Sequence, residues 1–178
     1  MCIRDSFLSW KHIISLCFVL LHLSLSIAHA TVVPKQHRLL IINSYNEGAP
    51  WSQTLITPIM LQTSSIEDVS ADLVHINGTF IRNDSLYNQM EEGIFQRYEK
   101  NKPDYLVLIG SIAFTLRDRI QKEWGDIPMI LIANEDTYAP REYYFTGRSI
   151  NMADNKVAPL NDIREQYNFT FIETPDMY

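Results

Sequence analysis

Residues 103–133 read PDYLVLIGSIAFTLRDRIQKEWGDIPMILIA, and this stretch decides the fold. Tyr105-Leu106-Val107-Leu108-Ile109 is a short, continuous apolar run that begins after Pro103-Asp104 and ends at Gly110-Ser111. A run of this length, bounded by turn residues and lacking polar alternation, predicts a strand buried on both faces. Ala113, Leu116, Ile120 and Trp124 then recur at helical spacing and predict a helix closed by Gly125. Pro128-Met129-Ile130-Leu131-Ile132-Ala133 repeats the apolar run. Two such strands joined by one helix with short connections form a βαβ unit, and the strands are therefore expected to be parallel.

The same alternation extends toward the N-terminus. Leu39-Leu40-Ile41-Ile42 predicts a strand ended by Asn43-Ser44-Tyr45-Asn46-Glu47-Gly48. Leu55, Ile56, Ile59 and Met60 follow at helical spacing. Pro50 suits the first turn, and Pro58 is expected to kink the helix or restart it after Thr57. Leu73-Val74-His75-Ile76 predicts a second strand, ended by Asn77-Gly78. A second helix follows, capped by Asp84 or Ser85 and carrying Leu86, Met90, Ile94 and Phe95 on its apolar face. The order β-α-β-α-β-α-β predicts an α/β fold of Rossmann-like type with flavodoxin-like order, a parallel sheet with helices on both faces. After Asp136 the pattern breaks down. Residues 137–158 are aromatic and polar, Pro159 to Gln166 predicts a short helix, and Phe169-Thr170-Phe171-Ile172 another strand.

In open parallel sheets, ligands bind beyond the C-terminal ends of the strands, where the strand order reverses. The residues placed there are Ser44 and Tyr45, Asn77, Gly110 and Ser111, then Asn134, Glu135 and Asp136. Most are neutral hydrogen-bonding groups. The first turn, NSYNEGAPW (43–51), holds one Gly, so the dinucleotide fingerprint G-x-G-x-x-G is absent, as is the phosphate-binding G-x-x-x-x-G-K-[ST]. A phosphoacceptor site needs an Asp after the third strand, where Gly110-Ser111 stands. Ser44 is a nucleophile only if a base lies close, and a lone His75 within a strand is more often structural. Glu135 and Asp136 are adjacent, so in extended chain they point to opposite sides and do not form a carboxylate pair. A carboxylate there receives a ligand amine or caps a loop. Trp51 either anchors the first helix on the sheet or walls a ligand cleft. Gly110 serves helix packing or the close approach of a ligand. Tyr143-Tyr144-Phe145 forms a hinge cover or the core of a further lobe.

The chain has 178 residues, 15 Lys+Arg against 21 Asp+Glu, and a formal net charge of −6. An acidic balance excludes a nucleic-acid binder, which needs a basic face. Residues 13–28, IISLCFVLLHLSLSIA, are apolar, follow Lys11 and His12, and precede Ala28-His29-Ala30. Basic flank, apolar core and A-x-A site are the pattern of a secretory signal peptide, with cleavage expected after Ala30. The alternative is an uncleaved signal anchor, although a span usually takes about 20 apolar residues. Residues 1–6, MCIRDS, resemble the translation of a sequencing-library adapter. With Arg4, Lys11 and Asp5 set aside, residues 31–178 carry 13 basic and 20 acidic residues, a net charge of −7. Both Cys lie in the leader, at Cys2 and Cys17. The remainder keeps His37 and His75 alone, so neither a metal site, a thiolate nucleophile nor a cofactor is expected.

LLIINSYNEGAPW (39–51) resembles the opening of the ABC-transporter substrate-binding-like family of periplasmic domains, an apolar strand followed by Ser-Tyr, a Gly and a Trp. PDYLVLIGSIA (103–113) and IPMILIANED (127–136) are similar to that family's third and fourth strands. PLNDIREQYNFTFIETP (159–175) is similar to its passage into a second lobe. The version most like this chain is the extracytoplasmic sensor region of membrane-bound sensor histidine kinases of Bacteroidetes type. The resemblance implies two α/β lobes with ligand in the cleft between them. Residues 31–158 would form the first lobe and 159–178 the start of the second. It implies ligand contacts at Ser44, Tyr45, Ser111 and Asn134, to which position alone adds Trp51, Gly110 and Glu135. The family often has Gly where this chain has Asn134-Glu135.

These readings together predict a non-enzymatic, exported domain, periplasmic or on the periplasmic face of the inner membrane, that binds a small molecule. The receptor is expected to reach the membrane through a signal anchor or a downstream helix, with room for a homodimer and no nucleic-acid partner. The alternative is a periplasmic solute-binding protein serving an ABC transporter. A third reading is an exported hydrolase using Ser44.

Overall fold

The structure is a computed structural model and describes residues 36–145 and 157–175. The leader (1–30) and residues 146–156 lie outside the described residues, and with them the expected signal peptide. The first strand, β1 (His37–Asn43), leads through Ser44-Tyr45 to helix α1 (Pro50–Ser64). Strand β2 (Val69–His75) and a single 3-10 turn at Gly78–Phe80 precede α2 (Asp84–Tyr98). Then come β3 (Tyr105–Ile109), a one-turn helix α3 (Ser111–Phe114), α4 (Arg117–Trp124) and β4 (Met129–Ala133). The C-terminal part holds short β5 (Thr137–Tyr138), α5 (Arg141–Phe145), β6 (Ala158–Pro159), a 3-10 turn at Leu160–Ile163, and β7 (Phe169–Glu173).

Five strands form one sheet in the order β2-β1-β3-β4-β7, every pair parallel. The chain starts at β1, steps outward to β2, then returns across β1 to β3 and continues the other way. The order therefore reverses between β1 and β3, and this is the flavodoxin-like arrangement the alternation predicts.

Because successive side chains of a strand point to opposite faces, each apolar run supplies two cores at once. Leu40 and Ile42 of β1, Leu106 and Leu108 of β3, and Met129 and Leu131 of β4 share one face with Tyr87, Ile94, Phe95 and Ile120 of α2 and α4. Ile41, Val107, Ile109 and Ile132 face the other way, against Ile56 of α1. Burying one such Ile or Leu contributes about 1.5–3 kcal/mol, so the central strands admit no polar alternation.

Three local expectations change. Helix α1 runs through Pro58 as one element without restarting after Thr57. Pro58 and Thr54, the residue whose carbonyl Pro58 cannot serve, are both exposed, on the solvent side of the helix. The third helix is divided at Thr115-Leu116, where Thr115 N–H donates to Ile112 O and Leu116 N–H to Ala113 O. These tighter bonds let Leu116 sit fully buried. The cap of α2 is Asn83, one residue before the expected pair, its Oδ1 accepting Leu86 N–H at 3.0 Å.

A fourth change concerns the boundary expected at residue 159. Phe169–Glu173 pairs in parallel with β4 along Met129↔Phe169 to Ala133↔Glu173 and is the edge strand of this same sheet. Leu160, Ile163 and Phe169 are buried in the same core as α2 and α4. Residues 169–173 therefore extend the first sheet, while Ala158–Pro159 pairs antiparallel with Thr137–Tyr138 in a separate two-stranded sheet. Their apolar side chains have partners here, and β4 would otherwise be an unpaired edge.

Candidate functional site

The C-terminal ends of β1 and β3 meet at the point where strand order reverses. Ser44 is buried there and makes three hydrogen bonds and one close steric approach. Its N–H donates to Ile109 O at 2.8 Å, and its carbonyl accepts Gly78 N–H at 2.8 Å. Its Oγ accepts the Ala113 N–H at 2.8 Å and so satisfies one free amide of the first turn of α3. The fourth contact is steric. A Cβ on Gly110 would lie 2.9 Å from Ser44 Cβ, Ser44 Oγ and Tyr45 Cε2, and Gly110 sits at φ +82°. Both the space and the backbone angle demand glycine at this position.

Beneath Tyr45 lies a polar cluster. Asn43 is fully buried. Its Nδ2 faces His75 Nδ1 at 2.9 Å, Ser52 Oγ at 3.2 Å and Tyr45 O at 3.3 Å, while its Oδ1 accepts Tyr45 N–H at 3.3 Å. Ser52 in turn donates to Ala49 O at 3.1 Å. Asn43 and His75 are register partners across β1 and β2. The cluster fixes the loop that presents Tyr45.

Above these strand ends is an open cleft of about 520 Å³. Ser44, Tyr45, Ser111, Asn134 and Glu135 all line it, joined by Thr79, Tyr143 and Tyr144. Five of the seven residues singled out by position in the sequence thus converge from three strands that are far apart in the chain. Gly110 lies beneath the cleft, where its bare backbone lets Ser44 and Tyr45 approach. Trp51 stands behind Tyr45, with ring centroids 5.1 Å apart in an edge-on arrangement, and packs on the α1 side of the sheet. It supports the ring that lines the cleft and does not line the cleft itself.

On the far wall, α5 contributes Tyr143 and Tyr144, whose rings meet edge to face at 5.4 Å. Burial pushes the Tyr144 phenol above its ordinary range, and the Glu135 carboxylate adds to that rise. Hydrogen bonds with the Ser111 side chain and the Ala139 backbone act the other way. Tyr144 therefore ties α5 to the first residue of α3. Glu135 is exposed and accepts from Thr137 Oγ1 at 3.5 Å.

Sequence position alone had not singled out Asn43, Thr79 or Asn46 as site residues. For Thr79 the available signal was its place just beyond the C-terminal end of β2. For Asn43 it was a polar residue closing an otherwise apolar strand. A second cleft, at the opposite end of the sheet, is lined by Arg38, Asp72, Arg97 and Tyr98. There Arg97 and Tyr98 both donate to Asp72, a set of mutually satisfied groups.

Chemically, the upper cleft offers hydroxyls, two amides, one carboxylate and three phenol rings. The Ser44 Oγ is committed to the Ala113 amide, and the nearest imidazole, His75, is committed to Asn43. Among the described residues no group of three or more His, Cys, Asp or Glu is placed to hold a metal ion, and no helix is long and apolar enough to cross a membrane. Compared with protein-family models, with curated proteins and with solved structures, the chain gives no match.

Proposed function

We infer that this chain is an exported small-molecule-binding domain that senses its ligand on behalf of a membrane-bound histidine kinase. The observation that carries the binding assignment is the cleft at the reversal between β1 and β3. There Gly110 admits Ser44 and Tyr45 closely enough for residues from β1, β3 and β4 to line one cavity. Such crevices are where open parallel sheets take their ligands. The sensor assignment rests on the resemblance of LLIINSYNEGAPW, PDYLVLIGSIA and IPMILIANED to periplasmic sensor regions. Export rests on the leader at 13–28. In this reading a second lobe closes over the cleft, and the hinge motion passes through a membrane helix to the kinase.

Binding, rather than hydrolysis, is the chemistry the site favours. A nucleophilic Ser44 needs a base within hydrogen-bond reach, and its Oγ instead receives a backbone N–H inside the core.

A thermal-shift screen of the purified chain against small metabolites tests the assignment. A compound present at a hundred times its Kd stabilises a protein by about 2.7 kcal/mol. At least one compound is expected to raise the melting temperature, and Tyr45→Ala or Ser111→Ala is expected to abolish that rise. A shift unchanged in both variants contradicts the site.

A further inference from the structure

The geometry points to a small organic cation, an alkyl- or aryl-ammonium compound, as the class of ligand this cleft takes. The inference rests on the binding reading above and narrows it.

Charge in and around the cleft is one-sided. Among the described residues lining it, Glu135 is the one charged side chain, and it is exposed to the cavity's solvent. The neighbouring cations are engaged elsewhere. Arg117 lies over the rings of Phe114, Tyr138 and Tyr167 at 5.0–5.6 Å. Arg141 pairs with Asp84 at 3.4 Å and Glu142 at 3.3 Å while covering the Tyr87 ring at 5.0 Å. Of the first-turn amides of α3, the Ala113 N–H is taken by Ser44 Oγ. An anionic ligand would therefore meet no cation among the described residues lining the cleft, and repulsion from Glu135. A cation meets the reverse.

The second, independent observation is aromatic. Tyr45 comes from the β1 end and Tyr143 and Tyr144 from α5, so three phenol rings share the lining with Glu135. Ring faces attract ammonium groups by about 0.5–2 kcal/mol, more as water is excluded. Trp51 braces Tyr45 from behind, and the Tyr144 phenol is tied to Ser111, so both rings are held in place before the ligand arrives. A carboxylate that shares one cavity with aromatic rings is a site for a charged nitrogen, whereas a neutral sugar would leave Glu135 without a charge partner.

A matched series that differs only in charge tests this. Backbone amide shifts of the full chain would be followed by NMR during titration with tyramine, 4-ethylphenol and 4-hydroxyphenylacetate. Choline serves as a second cation. The expected result is saturable shifts at Ser111 and Asn134 with tyramine and choline. The neutral 4-ethylphenol should bind about fivefold more weakly, and the anion more weakly still. Glu135→Gln should abolish the advantage of tyramine over 4-ethylphenol and leave 4-ethylphenol unchanged. Higher salt should weaken the cations alone. Equal or tighter binding of the neutral or anionic compound, an unchanged Kd for tyramine in Glu135→Gln, or no saturable shift with either cation overturns the inference. The broader binding reading survives any of these if the metabolite screen still yields a compound lost in Tyr45→Ala, and falls only if that screen fails as well.

Discussion

The Ser44 hydroxyl accepts the backbone N–H of Ala113 at 2.8 Å, a link across 69 residues that joins the end of β1 to the first turn of α3. It crosses the sheet at the reversal of strand order, so the floor of the cleft and the tertiary structure share the same hydrogen bond.

Replacing Ser44 by Ala leaves the buried Ala113 N–H without its acceptor. Leaving a buried donor unsatisfied costs about 1–3 kcal/mol. Urea unfolding should show a lower midpoint at constant slope, the two together giving a loss of that size. Hydrolysis of generic esters by the wild-type chain should not exceed background. Ester hydrolysis abolished by the substitution would restore the nucleophile reading.

Gly110→Ala should be more severe. The new Cβ would meet Ser44 and Tyr45 at 2.9 Å in a backbone conformation that favours glycine. Strain of about 1–3 kcal/mol combines with the cost of overpacking a rigid neighbourhood. Thermal unfolding should lose several degrees more than in Gly93→Ala, because nothing lies within 4 Å of a Cβ at Gly93.

Asn43→Ala removes the one group that joins Ser52, His75 and both backbone polar atoms of Tyr45. The expected loss is about 2–3 kcal/mol, with faster amide exchange confined first to residues 44–49. Asn43→Asp should be no better, since a carboxylate has no N–H to donate to Tyr45 O.

Alkaline pH should unfold the chain through its buried phenols. Burial raises the Tyr87 hydroxyl to about 12 from an ordinary value of 10.0, despite its hydrogen bond with Thr115. The unfolded chain therefore gives up this proton first. Between pH 10 and about 12 the folded state binds more protons than the unfolded state, and stability falls as pH rises. Below pH 10 the contribution is fully present. Melting temperature measured across this window should fall, and the fall should be shallower in Tyr87→Phe. An identical slope in the two proteins would assign the effect to other groups.

Much of this architecture was legible because its signals are local. The runs at 39–42, 105–109 and 129–133 have one reading by length and composition, and their C-terminal ends mark the cleft once the strands are parallel. Of the eight strand-end positions, Ser44, Tyr45, Ser111, Asn134 and Glu135 line a single cavity. What could not be read depends on which strands are neighbours. Asn43 and His75 become partners only because β1 and β2 pair in register. Phe169–Glu173 belongs to this sheet because β4 offers it an edge, a fact that no local pattern encodes. Trp51 was balanced between two roles and takes a place behind Tyr45, which depends on the angle at which α1 leaves the sheet.

The central claim is that a small molecule binds where β1 and β3 end, and mapping amide shifts with the best stabilising compound from the screen tests it most directly. The account predicts that the largest saturable changes cluster at Ser44–Asn46, Ser111–Ala113 and Asn134–Glu135. It also predicts that residues around Asp72, at the opposite end of the sheet, stay unmoved. Saturable changes centred on Arg38, Asp72 and Arg97, with the strand-end residues unmoved, would contradict it.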